Sequence, residues 1–225
     1  MNEFITEWEL TQESFEQFNK KYAEDFFTLG NGKIIQQGNF EEFYSGETLT
    51  GSYIKINDKS AFENSKAWKV PYNLQNKVII NSPDWTPVVV RLNDEVIDLN
   101  TWKVLKFRQI LNLKEAFTER IFELESPKGY QVNVRSKRFI SFAQTDTVVV
   151  YYNIRSLNFE GRISMMPLIN GNINNDFSKI NQLSWNVLQT ITQKDVAHIW
   201  TQIRLHNFHV CNAMAYSFYK NNEEI

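Results

Sequence analysis

Between Phe26 and Tyr219 the chain falls into short β-branched and aromatic runs, broken at roughly ten-residue intervals by clusters of Gly, Pro, Asn and Asp. No other feature constrains the fold as much, because runs this short can bury their apolar side chains only by pairing as antiparallel strands and stacking sheet on sheet. Val78–Ile80 and Val88–Leu92 flank the turn Asn81–Trp85. Val96–Leu99 follows the turn Asn93–Glu95, and Trp185–Thr192, Ala197–Leu205 and Phe208–Tyr219 close the series. Thr147–Ile154 is β-branched or aromatic almost throughout, and its unbroken apolar character predicts burial on both faces. Residues 130–135 and 137–142 predict further strands, and 55–74 a long connection. With 42% hydrophobic and 14% aromatic residues the chain can fill one large core, and it has no repeat, low-complexity tract or linker-like break. The expected architecture is all-β: a large antiparallel β-sandwich with few short helices, residues 1–225 forming a single domain. Helix is expected only in residues 1–25, where Phe15, Phe18, Tyr22 and Phe26 recur at spacings of three and four and predict a core-facing stripe.

Charge removes two partner classes. The net charge is −2 with both signs interspersed, so the sequence carries no electrostatic footprint for nucleic acid or for an anionic membrane surface. No run of apolar residues reaches the length of a membrane-spanning helix, and no signal-peptide pattern opens the chain. The single cysteine, Cys211, excludes an internal disulfide and fits a reducing compartment, so a cytoplasmic location is expected, with a periplasmic one the alternative if a signal peptide has been trimmed.

Phe26–Ile54 holds five of the eight glycines. Gly30-Asn31-Gly32-Lys33 superficially suggests a phosphate-binding loop, but that motif leads into a helix, whereas Lys33 is followed by strand-forming Ile34 and Ile35. A hairpin turning at Asn31-Gly32 is the simpler reading. The order Leu29-Gly30-Asn31-Gly32, then Gly38-Asn39-Phe40-Glu41-Glu42, then Tyr44-Ser45-Gly46, then Gly51-Ser52-Tyr53-Ile54 resembles the opening of the amino-terminal domain of glycoside hydrolase family 65, which contains maltose, trehalose and kojibiose phosphorylases. The resemblance continues through Asn81-Ser82-Pro83-Asp84-Trp85 to Asn112–Arg120, which is similar to a family hairpin with Asn112 at its Asp, Ala116 at its turn Gly and Arg120 at its Arg. Residues 103–126 have a good helix-forming composition but an alternation closer to period two, and the resemblance favours two strands turning near Lys114–Ala116.

The resemblance implies a curved supersandwich of the galactose-mutarotase-like kind that precedes an (α/α)6 catalytic barrel. The general acid lies on that barrel, so no catalytic residue and no cofactor is expected here. Inorganic phosphate would be a co-substrate of the parent if it is a phosphorylase. The implied partners are the barrel, an α-glucoside through the parent, and a second copy of the chain. Self-association is expected through a strand edge left open where residues 220–225 stop short of the family domain, or through the barrel-facing surface. Gly38, Asn39, Glu41 and Glu42 are expected in a loop that shapes the sugar site from outside. Read alone, adjacent Glu41 and Glu42 on a strand point to opposite faces, one solvated and one bracing the loop, and cannot flank one glycosidic bond. Trp68, Trp85 and Trp102 adjoin turns and are candidates for stacking on sugar rings, against the simpler reading of core residues. His206, His209 and Cys211 offer metal-ligand chemistry, but strand alternation sends His206 away from the other two, and no metal is expected. The alternative is a free-standing carbohydrate-binding sandwich.

Overall fold

The computed structural model describes residues 3–17, 20–49, 51–57, 77–172, 185–203 and 208–225. In chain order these form β1 (Glu3–Ile5), β2 (Glu9–Gln12), α1 (Lys20–Phe26), β3 (Leu29–Gly30), β4 (Ile34–Gln36), β5 (Ser52–Asn57), β6 (Lys77–Ser82), β7 (Val88–Leu92), β8 (Glu95–Val96) and β9 (Lys103–Asn112). Then follow β10 (Phe117–Glu125), β11 (Gln131–Ile140), β12 (Val148–Ser156), β13 (Ile163–Pro167), β14 (Trp185–Gln193), β15 (Val196–Ile203), β16 (His209–Ala215), β17 (Tyr219–Lys220) and β18 (Glu223–Glu224). Several antiparallel sheets make the fold an all-β sandwich. The chain divides into two compact units, Met1–Gly51 with Thr86–Leu168, and Ser52–Trp85 with Ile169–Ile225.

In the first unit a six-stranded sheet runs β1-β2-β9-β10-β11-β12, and a smaller one runs β13-β7-β8. Strand alternation gives each sheet one apolar face, and Val88, Val90 and Leu92 of β7 meet Phe107, Phe122, Leu124, Val132 and Val134 of the large sheet in one core. Residues 103–126 are two strands despite their helix-forming composition, joined by a turn at 113–116 in which Ala116 has φ 56°. Cross-strand pairing and burial of Phe107, Phe122 and Leu124 override local propensity there. Residues 131–140 form one continuous strand. In the second unit β5 pairs with β6, β14-β15-β16 form a sheet, and β17 pairs with β18. Asp84 and Asn170 exchange backbone hydrogen bonds of 2.9 and 2.7 Å, tying the loop after β6 to the chain after β13.

Two expectations are corrected. The apolar stripe of the N-terminal region does not lie on one core-facing helix: Phe15 precedes the helix and packs against the core, Phe18 lies outside the described residues, and α1 buries Lys20, Ala23 and Glu24 while Tyr22 and Phe26 are 57% and 42% exposed. The cause is polar: Lys20 and Glu24 find partners inside, so their face of the helix turns inward. The strand at 147–154, as β12, is not buried on both faces, because it is the outermost strand of its sheet and its side chains alternate between half-buried and exposed. Most of the connection expected at 55–74 lies outside the described residues.

Candidate functional site

The inward face of the six-stranded sheet changes character along its strands. Register aligns Phe107, Phe122, Val134 and Ile154 in one row and Gln12, Gln109, Arg120, Ser136 and Tyr152 in the next. Arg138 lies one row further on. An apolar core therefore gives way to a polar floor carrying two guanidinium groups, both buried.

The segment Gly38–Gly46 roofs that floor. Asn39, Glu41 and Glu42 are buried, the two carboxylates at 2% and 4% exposure. Nη2 of Arg120 donates to Oε2 of Glu41 and, at 2.7 Å, to Oε2 of Glu42. Arg138 donates to the Asn39 carbonyl at 2.9 Å, and its Nε lies 3.6 Å from Oε1 of Glu41. The Arg120 guanidinium sits over the Phe40 ring, 4.2 Å from its centroid. Asn39 donates to Thr86 at 3.0 Å and accepts from Gln36 at 2.7 Å, and the Glu41 carbonyl accepts from Val88 N at 2.8 Å. The expectation that Glu41 and Glu42 diverge is corrected: they lie in a bend rather than a strand, so alternation does not apply, and both turn to one guanidinium.

A second buried pair abuts this one. Nζ of Lys20 donates to Glu24 Oε1 and, at 2.9 Å, to Thr48, while Glu24 Oε2 accepts from Leu49 N at 2.6 Å. Lys20 also lies over the rings of Phe40 and Tyr44. Gly38 closes the helix against the loop: its N–H donates to the Glu24 carbonyl at 2.8 Å, and a Cβ there would stand 2.8 Å from Phe27 Cβ and 2.9 Å from that carbonyl. No side chain larger than hydrogen fits.

Burial alone would raise the Glu41 carboxyl pKa, but the Arg120 and Arg138 charges outweigh it and hold the group below its ordinary value. Burial opposes the Arg120 charge, and Glu42 and Glu41 reverse that effect, leaving the proton held more tightly than usual. Burial, followed by Coulombic repulsion from Glu42, raises the Tyr152 phenol well above its ordinary value. Burial lowers Lys20, with Glu24 acting the other way. The two guanidinium groups thus hold the Glu41 carboxyl, and with it the loop backbone, in place.

Of the other sequence-derived candidates, Trp102 is 7% exposed and belongs to the core, where its ring cannot meet a sugar; Trp85 is half-buried. Trp68 and His206 lie outside the described residues. His209 and Cys211 share the exposed face of β16, and among the described residues no cluster of three His, Cys, Asp or Glu side chains could hold a metal. Sequence reasoning missed Lys20, Glu24 and Arg138 as partners of the loop, and it missed Trp200, whose exposure on β15 could have been found from inward Ile199, Thr201 and Ile203 on either side.

Residues 10–224 match the family described as Glycosyl hydrolase family 65, N-terminal domain. Curated relatives include a maltose phosphorylase of Bacillus subtilis (strain 168), 28% identical over 80% of this chain and 24% of its own length. An alpha,alpha-trehalose phosphorylase of Thermoanaerobacter brockii is 29% identical over 82% of this chain and 25% of its own. A kojibiose phosphorylase of Caldanaerobacter subterraneus subsp. tengcongensis is 30% identical over 75% and 20%. The aligned part of this chain thus corresponds to a quarter or less of the length of each of these relatives. A solved chain named as a kojibiose phosphorylase from human microbiome has the same fold, with a TM-score of 0.77 at 16% identity over 99% of this chain and 30% of that one. Because the match runs through both compact units and the strands that carry the buried ion pairs, the chain belongs to the N-terminal domain family of glycosyl hydrolase family 65.

Proposed function

We propose that residues 1–225 work as one non-catalytic β-sandwich domain of an enzyme that cleaves an α-glucosidic disaccharide with inversion, attacking with inorganic phosphate. The domain packs on an (α/α)6 barrel that carries the catalytic acid, and it can pair with a second copy of itself. Gly38, Asn39, Glu41 and Glu42 shape the sugar site from outside through the backbone they fix rather than through their own side chains. The observation that carries this reading is the pair of buried carboxylates that both meet Arg120, Glu41 facing Arg138 as well, an arrangement suited to rigid presentation of the loop. The relatives' names, each a phosphorylase four or more times the length of the aligned segment, support it. The lone, exposed Cys211 supports a cytoplasmic location.

The test is to express the longer gene product and measure glucose release from kojibiose, maltose, nigerose and trehalose with and without phosphate. Release from one of them only when phosphate is present is expected. Release without phosphate would make the parent a hydrolase, and no downstream barrel would remove the enzyme reading altogether.

A further inference from the structure

In the sheet β14-β15-β16, one face packs inward through Ile199, Thr201 and Ile203, so alternation sends Trp200 to the other, where it is 43% exposed. Register places Gln189 and Cys211 directly opposite Trp200 on its two sides. His198 and Gln202 are its same-face neighbours along β15, and His209 pairs with Gln202, its ring centroid 5.6 Å from that of Trp200. Neighbouring strands lie about 4.8 Å apart and same-face residues about 6.8 Å apart along a strand, so the Gln189 and Gln202 amides and the His198 imidazole flank the indole within reach of the hydroxyls of a pyranose stacked on it, with Cys211 on the remaining side.

The composition of this face says what it fits. In a chain that is 22% charged, β14, β15 and β16 contain no Asp, Glu, Lys or Arg, and formal charge in the β14–β15 hairpin is confined to Lys194 and Asp195 in its turn. A surface for nucleic acid needs cations. Here an exposed aromatic plane is flanked by Gln189, His198 and Gln202 on three sides and by Cys211 on the fourth, with no carboxylate, ammonium or guanidinium among them, which is the complement of a neutral polyol: apolar C–H faces for the indole, hydroxyls for the amides and the imidazole.

We infer that this sheet face is a binding site for a neutral carbohydrate, with a pyranose ring stacked on Trp200 and its hydroxyls met by Gln189 and His198. The site lies wholly on the second compact unit and takes no part in glycosidic bond cleavage. It stands independently of the parent's reaction, and its test contains no turnover.

Isothermal titration of the 225-residue chain with maltoheptaose and with cellopentaose is the experiment. Saturable binding of at least one, with Kd of about 1 mM or tighter, is expected. Trp200→Ala should weaken it by about tenfold or more, Trp200→Phe should recover part of the loss, and Gln189→Ala should cost roughly threefold. Circular dichroism of each variant checks that the sheet is intact. No heat of binding from either sugar up to about 10 mM overturns the inference. So does binding that Trp200→Ala leaves unchanged, which would put the site elsewhere, or equal binding of heparin, which would make recognition ionic.

Discussion

Arg120 holds two buried carboxylates, and that asymmetry sets the cost of losing it. Removing one partner of a buried ion pair leaves uncompensated charge, so Arg120→Met should destabilise the chain by about 3–5 kcal/mol, read as a lower urea midpoint with little change in slope. Replacing Arg120, Glu41 and Glu42 together with apolar residues of similar volume should cost less than the single change, because nothing charged is then stranded. The pH dependence follows from Glu41. Its folded carboxyl titrates below the ordinary 4.5, so on acidification the unfolded chain takes up the proton first. The stability it contributes is present above about pH 4.5 and is lost as pH falls through the folded pKa. Glu41→Gln should therefore lower the Tm at pH 7 and flatten the acid limb of Tm against pH; an unchanged acid limb would show that other carboxylates dominate it. At Gly38 the opposing atoms include the backbone of Glu24 and Phe27, so Gly38→Ala should cost about 1–3 kcal/mol by thermal melt.

At the scale of elements, the β9–β10 hairpin carries a local cost at Ala116, whose φ of 56° is left-handed. Ala116→Gly should raise stability by up to about 1 kcal/mol, since relief of the left-handed strain outweighs the added freedom of the unfolded chain. Asn112 supports the same turn by accepting from Glu115 N at 2.7 Å. Helix α1 shows why an amphipathic stripe is an incomplete signal. Spacing of three and four marks a helix face, but Lys20 and Glu24 satisfy each other inside, and their face was buried in place of the aromatic one. Strand β12 is the outermost strand of its sheet, with Val149 and Tyr151 exposed. If copies pair along this edge, Val149→Lys should reduce the self-association seen in sedimentation velocity at high concentration while shifting the Tm by little. A monomeric wild-type profile under the same conditions would remove dimerisation from the proposal.

For the whole molecule, the proposed role is a supporting one, with the catalytic acid on another domain. The 225-residue chain alone should release no glucose from kojibiose, maltose, nigerose or trehalose, with or without phosphate. Release by this chain at a rate that scales with its concentration would contradict the non-catalytic reading.

The sequence by itself determined the all-β class, the hairpin turns at Asn31-Gly32 and at 114–116, and the membership that Leu29–Ile54 and Asn112–Arg120 point to. The class and the Asn31-Gly32 turn rest on local chemistry, alternation and turn residues, whereas the turn at 114–116 and the membership rest on motifs held in register with the family's. The tertiary structure alone decided that Glu41 and Glu42 converge on Arg120, from residues nearly eighty positions away in sequence. It also decided that α1 buries its ions, that Trp102 is core, and that Trp200 faces outward beside Gln189, His198 and Gln202. Each of these depends on which strand lies beside which, and pairing between distant segments is set by the packing of the whole sheet rather than by any window of sequence.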